Sequence, residues 1–285
     1  MIVLFVISMD GSFAALYDED INKDELGEHA MDIVLQATGI RKVYGTKSNL
    51  IPVLEDIDFN VQEGEFVGIM GPSGAGKTSL LNILATIDKP TAGSVRISGT
   101  EITGLSDEPL SEFRREKLGF IFQDYNLLDS LTIRENIMLP MTFSNKFDLT
   151  TDVRVTEIAG KFGIEAILDR YPYETSGGQK QRTAAARAII HNPRLVLADE
   201  PTGALDSKAS MDLLSAFQLM NDEYGTTILM VTHDAFAASY CDRIVFMKDG
   251  KLFTELVKGD NDRKSFFDRL VTTLSTLGGG SYEII

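Results

Sequence analysis

The sequence predicts an α/β fold in which a mostly parallel sheet surrounds a phosphate-binding loop, with an antiparallel β subdomain and an inserted α-helical subdomain. Three observations support this prediction. The stretch Gly71 to Thr78 matches the pattern G-x-x-x-x-G-K-T and lies between an apolar run and a helical run. Two later apolar runs, 195–200 and 227–233, end in acidic residues and a histidine, as expected of buried strands that present ligands at their carboxyl ends. Between residues 128 and 180, helical spacing replaces the strand pattern.

Composition excludes several classes of protein. A chain of 285 residues with 44% hydrophobic content buries a large core. The net charge of −15 argues against a general nucleic-acid binder, because a phosphate backbone demands a basic surface. The one cysteine, Cys241, permits no internal disulfide and fits a reducing compartment, where it serves as a small buried hydrophobe. No apolar window reaches the roughly 18 residues of a membrane-spanning helix.

Residues 1–30 differ from the rest of the chain. A short apolar run at 2–7 has no basic residue before it and is too short for an anchor or a secretory signal. Seven acidic residues and one lysine fall within this segment. We expect a poorly ordered extension, with an interaction arm as the alternative. Met31 immediately precedes the first clear strand pattern. A further alternative is therefore that translation starts at Met31 and that the start codon at Met1 was assigned too far upstream.

The antiparallel subdomain is predicted from short strands at 33–35, 40–45, 53–61 and 94–99. The third of these alternates apolar and polar residues, as a half-buried strand does. Tyr44 lies at the end of the second strand. Its ring is suited to stacking on an adenine base, and an aromatic packed in the β core is the alternative.

The residue types in the loop from Gly71 to Thr78 are suited to binding phosphate. Its glycines let the backbone wrap so that N–H groups point at an anion, and the dipole of the following helix adds to the attraction. Lys77 then reaches the β- and γ-phosphates of a nucleotide, and the Thr78 hydroxyl ligates magnesium.

Gln123 ends the apolar strand 118–123, at the edge where open α/β sheets bind ligands. A glutamine that simply leaves the core is the alternative. The helical lobe follows, with a capping box from Thr132 to Glu135 and turn signals at Pro140 and Gly163. We place the lobe at about 128–180, inside a domain of 31–258 that is followed by a helical tail of 259–285.

Serine and two glycines, Ser176 to Gly178, lead into an alanine-rich helix predicted at 181–190. This start is a second anion-binding helix terminus or a plain N-cap. The strand 195–200 then delivers two carboxylates, of which Asp199 is suited to hold magnesium through water and Glu200 to take a proton from an attacking water.

The remaining elements complete the domain. A helix capped at Asp206 closes at Gly225. The strand 227–232 is followed by His233, whose ring is apt for a hydrogen bond to a γ-phosphate, with a structural histidine as the alternative. A hairpin turns at Asp249 and Gly250, and the helical tail at 265–277 carries no functional signal.

Taken in order, these motifs resemble the ATP-binding cassette (ABC) ATPases over residues 33–255. The resemblance implies a P-loop NTPase (RecA-like) core. In family terms the matches are Walker A at Gly71–Thr78, the Q-loop glutamine Gln123, the signature Ser176–Gln179, Walker B at Leu195–Asp199, the catalytic glutamate Glu200, the D-loop Ala204–Asp206, the switch histidine His233 and the adenine-stacking Tyr44. Thr175 departs from the family's usual leucine, but the signature core after it is intact.

The resemblance implies ATP and Mg²⁺ as cofactors, and in-line attack of water on the γ-phosphate. Glu200 is then the general base, Gln123 and His233 position water and γ-phosphate, and Lys77 neutralises developing charge. Expected nucleotide contacts are Tyr44, Gly71, Pro72, Ser73, Gly74, Ala75, Gly76, Lys77, Thr78, Ser79, Ser176, Gly177, Gly178, Gln179 and Asp206. Expected metal ligands are Thr78, Gln123 and Asp199.

The family also implies partners. Its cassettes form a head-to-tail dimer of two copies, in which one copy's signature covers the γ-phosphate held by the other's P-loop. A single cassette of this kind powers a separately encoded integral-membrane permease from the cytoplasmic face of the membrane, and no nucleic acid is expected.

Four stretches narrow the resemblance to the bacitracin-type antimicrobial-peptide resistance and sensing transporters, which implies a sensor kinase reached through the permease. These stretches are 171–174, 179–182, 232–241 and 266–280. Lipoprotein release and macrolide-type export are the alternatives within transport. A soluble cassette ATPase acting on nucleic acid or ribosomes is the alternative of another class. A binding-only nucleotide sensor is disfavoured by the presence of both Glu200 and His233.

Overall fold

The computed structural model describes residues 33–46, 49–143 and 147–277. The expected acidic extension at 1–30 and the glycine-rich end of the tail at 278–280 lie outside these residues.

The described strands, in chain order, are β1 (Ile33–Thr46), β2 (Asn49–Gln62), β3 (Phe66–Met70), β4 (Ala92–Ile97), β5 (Thr100–Glu101), β6 (Leu118–Ile121), β7 (Leu195–Asp199), β8 (Ile228–Val231), β9 (Arg243–Lys248) and β10 (Lys251–Val257). The described α-helices are α1 (Lys77–Leu84), α2 (Asp107–Lys117), α3 (Ile133–Phe143), α4 (Thr151–Lys161), α5 (Gly177–Ile189), α6 (Ser207–Tyr224), α7 (Ala235–Ala238) and α8 (Arg263–Leu277). The α/β class predicted from the sequence is confirmed.

The antiparallel sheet has the order β2-β1-β4-β5. The alternation predicted for 53–61 is confirmed, since Ile57, Phe59 and Val61 are buried and their neighbours on β2 are exposed. Separate strands at 33–35 and 40–45 were expected, and this is wrong. β1 is continuous, because the pairing register shifts between Ala37 and Ile40 and so absorbs the irregularity as a bulge.

The core sheet has the order β10-β9-β3-β8-β7-β6, with β10 antiparallel to β9 and the other pairs parallel. Residues of β3 and β8 are buried throughout, as their continuous apolar runs predict. β3, β8 and β7 are neighbours and run in parallel, so their carboxyl ends meet at one edge. The phosphate-binding loop, His233 and Glu200 follow these three ends.

The helical lobe contains α3, α4, the start of α5 and two short 3-10 helices at Glu165–Ile167 and Pro172–Glu174. Its predicted capping box is confirmed: Thr132 N donates to Glu135 Oε2 at 2.8 Å and Glu135 N donates to Thr132 Oγ1 at 3.2 Å. The helix predicted to start at Gln181 starts at Gly177. A capping box between Ser176 and Gln179 satisfies the first N–H groups, so both glycines lie in the first turn.

The helix α2 was not predicted from the sequence. Its signal is one of charge, with Asp107 and Glu108 in the first turn and basic residues in the last. Leu110 is the one residue of this helix that is buried, so an apolar period is missing. No helix among the described residues has the length and apolar character that a membrane crossing requires.

Candidate functional site

The phosphate-binding loop joins β3 to α1 and encloses a cavity of about 700 Å³. Gly76 has φ +96°, and a Cβ at this position would lie 2.8 Å from Val53 O, so a side chain here would clash with β2. The lining residues are Val53, Gly71, Pro72, Ser73, Gly74, Ala75, Gly76, Lys77, Thr78, Ser79, Glu200, His233 and Leu274. The structure therefore brings the whole predicted loop together with Glu200 and His233.

Lys77 folds over the loop that precedes it. Its Nζ donates to Gly71 O at 2.8 Å and to Pro72 O at 3.1 Å. Burial lowers the pKa of Lys77, and the nearby carboxylates of Glu200 and Asp199 oppose that lowering. A partly desolvated ammonium interacts strongly with an anion, because the local dielectric constant is below that of water.

Asp199 ends β7 close to Lys77 and Glu200. Burial raises the pKa of Asp199, the charge of Glu200 raises it further, and Lys77 opposes both. Its Oδ1 is buried with no hydrogen-bond partner among the residues that the structure describes. A buried carboxylate oxygen without a partner fits a hard cation such as Mg²⁺, which prefers oxygen ligands.

Glu200 and His233 form a hydrogen-bonded pair at the mouth of the cavity. His233 Nδ1 lies 2.8 Å from Glu200 Oε2, and His233 N donates to the same oxygen at 3.3 Å. Glu200 has φ +46°, a left-handed conformation that costs a non-glycine residue about 1–3 kcal/mol and that clusters at functional sites. Because an ionised carboxylate only accepts, the ring proton must be on Nδ1 in this pair.

Gln123 lies two residues beyond the end of β6 and does not line the cavity. Its Nε2 is 3.1 Å from the position that a Cβ on Gly203 would occupy. Gln123 thus packs against the turn that follows Glu200, which brings the two predicted catalytic segments into contact.

Other predicted nucleotide contacts lie outside the cavity lining. The Tyr44 hydroxyl donates to Asp88 Oδ2 at 2.7 Å, and Lys42 Nζ is 4.8 Å from the centre of its ring. The Asp206 carboxylate accepts from Ala209 N at 2.8 Å and caps α6. The signature residues Ser176 to Gln179 form the start of α5, so the N-cap interpretation of Ser176 is confirmed while its anion contact stays a prediction.

Two lining residues were not predicted. Val53 belongs to the alternating pattern of β2, which gave it no chemical signal. Leu274 lies on α8, about 200 residues after the phosphate-binding loop in sequence, and reaches the cavity because Phe266 and Leu270 anchor this helix in the core. Leu274 belongs to tertiary packing that sequence spacing does not reveal.

Comparisons with known proteins agree with this geometry. Residues 54–203 match the family model described as ABC transporter. The bacitracin export ATP-binding protein BceA of Halalkalibacterium halodurans is 53% identical over 86% of this chain and 97% of its own length. The macrolide export ATP-binding/permease protein MacB of Rhodopirellula baltica is 40% identical over 76% of this chain and 32% of its own length.

Solved structures are similar as well. The dimeric structure of MJ0796, described as a bacterial ABC transporter cassette, has a TM-score of 0.73 at 39% identity and covers 78% of this chain and 98% of that one. MJ0796 is a protein of Methanocaldococcus jannaschii. A second structure of the same cassette, in a post-hydrolysis state bound to ADP and Pi, has a TM-score of 0.71 at 38% identity, with the same coverage of both chains.

Proposed function

The chain belongs to the ABC transporter family and is one of its ATP-hydrolysing proteins, and from that premise we propose that it energises the export or sensing of bacitracin-like antimicrobial peptides through a separate membrane permease. The observation that carries this proposal is the 53% identity to a bacitracin export ATP-binding protein over 97% of that protein's length. Macrolide-type export is the second candidate, favoured by the 40% identity to a macrolide export protein.

The phosphate-binding loop and Lys77 would hold the β- and γ-phosphates of ATP, for which the cavity and its inward-folded ammonium are suited. Thr78 and Asp199 would hold Mg²⁺, with Asp199 offering a buried oxygen that has no partner among the described residues. Gln123 does not line the cavity and would join them only by turning away from Gly203. The chemistry supplied by a bound magnesium ion is neutralisation of charge on the phosphate oxygens.

Glu200 is proposed as the general base that takes a proton from the attacking water. The Glu200 side chain is 18% exposed and that of His233 is 71% exposed, so the carboxylate is sheltered while the imidazole is accessible to solvent. A neutral His233 with its proton on Nδ1 offers only an acceptor at Nε2. To donate to a γ-phosphate it must bind a second proton or turn away from Glu200.

A second copy of the chain is proposed to complete the site. Ser176 to Gln179 lie outside the cavity lining of their own chain. Such a signature contributes to catalysis only when it meets the cavity of another copy. The dimeric state of the similar cassette MJ0796 supports this arrangement.

A groove between the helical lobe and the core sheet is proposed as the docking surface for the permease. It has a volume of about 360 Å³, and its walls are aromatic and cationic, with Arg114, Arg115, Phe120, Phe122, Phe143 and Arg187 among them. Arg187 also donates to Asn126 O at 2.6 Å and to Tyr125 O at 2.8 Å. The groove is thereby connected to the loop that follows Gln123, a route by which lobe motion would reach the permease.

The cellular location of the chain would follow from its binding to the permease. Docking to a permease would place the chain on the cytoplasmic face of the cell membrane as a peripheral protein. A sensor kinase would join the assembly through the permease when the transported peptide is also sensed.

The proposal is tested by purifying the tagged chain from detergent-solubilised native membranes and identifying co-purified proteins by mass spectrometry. We expect an integral-membrane permease to be recovered with the wild-type chain and with Leu149→Glu, which changes a fully exposed residue outside the groove. Phe143→Glu, in the groove wall, should abolish recovery. Recovery of only ribosomal or DNA-repair proteins would contradict the transport assignment.

The substrate is tested by deleting the gene and measuring growth inhibition. We expect increased sensitivity to bacitracin and unchanged sensitivity to macrolides. The reverse pattern would favour macrolide-type export.

A further inference from the structure

Gln181 is a buried polar residue at which the signature helix meets both catalytic loops. It lies on α5, five residues after Ser176, and its side chain is fully buried. Its Nε2 donates to Phe122 O at 3.1 Å and to Pro201 O at 2.9 Å. Phe122 immediately precedes Gln123, and Pro201 immediately follows Glu200. One amide group therefore joins three segments that are distant in sequence.

The orientation of this amide follows from its partners. Both are carbonyl oxygens, which only accept, so the nitrogen and not the oxygen of Gln181 must face them. The two protons of the amide nitrogen are then both used. Gln181 Oε1 is left buried, with no partner among the residues that the structure describes.

A buried acceptor without a partner is costly, so volume alone does not explain a glutamine here. An apolar side chain of similar shape would fill the site without that cost, but it would leave the carbonyls of Phe122 and Pro201 without this donor. The contacts made by the amide nitrogen are therefore what distinguishes glutamine from methionine at this position.

The backbone turn that follows Glu200 needs contacts that restrain it. Glu200 adopts a left-handed backbone conformation, which persists only where its surroundings determine it. Gly203 N donates to Glu200 O at 3.0 Å, and Gln123 packs on Gly203. The bond from Gln181 to Pro201 O restrains the same turn from the side of the signature helix.

We propose that Gln181 is a positioning residue that sets Gln123 and Glu200 relative to the signature helix, so that catalytic geometry at one ATP site depends on the position of the signature that serves the other. This inference rests on the proposed roles of Glu200, Gln123 and the signature. The link runs through two hydrogen bonds and not through contact with nucleotide.

The test compares Gln181→Met with a matched variant, Thr183→Val, in the full chain. Thr183 is also fully buried on α5, but its Oγ1 donates only within the helix, to Gln179 O at 2.8 Å. We expect Gln181→Met to lower kcat for ATP hydrolysis at least tenfold with a change in KM below threefold. Thr183→Val should keep kcat within twofold of the wild type.

A second variant, Gln181→Glu, separates hydrogen bonding from packing. A protonated carboxyl still donates one bond to a carbonyl, whereas a carboxylate donates none. We expect kcat of Gln181→Glu to fall as the pH rises from 6.5 to 9, relative to the wild type at each pH. A role limited to filling space would leave that ratio constant.

Glu200→Gln, assayed in parallel, distinguishes failure of the positioning role of Gln181 from failure of the catalytic role of Glu200. Loss of turnover in Glu200→Gln together with wild-type kcat in Gln181→Met would overturn the role of Gln181 and leave the catalytic assignment standing. Wild-type turnover in Glu200→Gln would overturn the catalytic assignment itself. Equal losses in Gln181→Met and Thr183→Val would reduce Gln181 to a packing residue.

Discussion

Tyr44 shows how a single candidate contact depends on residues that are distant in the chain. Its hydroxyl donates to Asp88, which also accepts from Lys42 Nζ at 2.7 Å. Lys42 Nζ lies over one face of the Tyr44 ring. Tyr44 as a whole residue is still 40% exposed. In the ion pair of Lys42 with Asp88, the lysine side chain is 11% exposed and the aspartate side chain is 31% exposed. Solvent therefore screens this pair less than it screens a fully exposed surface pair. This network fixes the orientation of the proposed adenine platform.

We expect Asp88→Asn to lower the free energy of unfolding by about 1 kcal/mol at pH 7, because it removes a charge-assisted pair that is partly sheltered from water. Burial raises the pKa of Asp88, but hydrogen bonds from Lys42 and Tyr44 outweigh it, and the net pKa lies below the usual 3.8. Ionised Asp88 therefore stabilises the fold above the unfolded-state pKa and loses that contribution as the pH falls through the folded-state value.

Urea denaturation as a function of pH checks this expectation. The difference in the free energy of unfolding between the wild type and Asp88→Asn should become smaller as the pH approaches 3. Asp56→Asn is the control, since Asp56 pairs with Arg41 at an exposed site and should cost little. Equal effects of the two variants, or a difference that does not vary with pH, would contradict the proposed stabilisation.

Sequence spacing could predict the residues whose signal is local. The loop from Gly71 to Thr78 and the acids after β7 follow directly on apolar runs, so their place at the edge of the sheet could be deduced. The contacts of Tyr44 with Asp88, of Gln181 with Pro201 and of Leu274 with the cavity could not. Each joins residues that only the tertiary fold brings together.

At the scale of elements, α8 connects the tail of the chain to the nucleotide cavity. Phe266 and Leu270 are fully buried in the same core cluster as Tyr240, and Leu274 packs against that cluster. The Arg263 guanidinium lies 4.5 Å from the ring centre of Tyr240. These contacts hold α8 against the segment that follows His233. The helix therefore connects one wall of the cavity, at Leu274, to the buried core.

We expect Leu270→Ala to lower the free energy of unfolding by about 2–5 kcal/mol, because it leaves a cavity in a fully buried site. Val271→Ala changes the next residue of α8, which is 45% exposed, and should change stability by less than about 0.5 kcal/mol. Guanidinium denaturation of both variants gives the comparison. A similar cost for the two substitutions would show that α8 is not packed as described.

Elements were predictable where an apolar period, a turn residue or a cap residue marked them. The hairpin of β9 and β10 and the helix α6 follow from their turn and cap residues, Asp249, Gly250 and Asp206. α2 was missed because one buried leucine gives no period, and the bulge in β1 was misjudged because a register shift within a strand resembles a turn in sequence.

At the scale of the whole molecule, one chain assembles only part of the proposed hydrolytic site. The phosphate-binding loop, Glu200 and His233 surround the cavity, while the signature starts α5 elsewhere on the same chain. A complete site would need two copies and ATP between them. Closure would then depend on ATP, and hydrolysis would reopen the dimer.

The most direct measurement is the molar mass of Glu200→Gln by light scattering, with and without saturating ATP and Mg²⁺. Because this variant keeps the proposed phosphate-binding loop but lacks the proposed base, we expect turnover to fall by at least 100-fold and the mass to rise from 31.4 kDa to twice that value on addition of ATP. Adding Ser176→Arg to the same variant should keep it monomeric, because the bulky cation disrupts the signature. A Glu200→Gln chain that hydrolyses ATP at the wild-type rate, or that stays monomeric with ATP bound, would contradict the two-copy site.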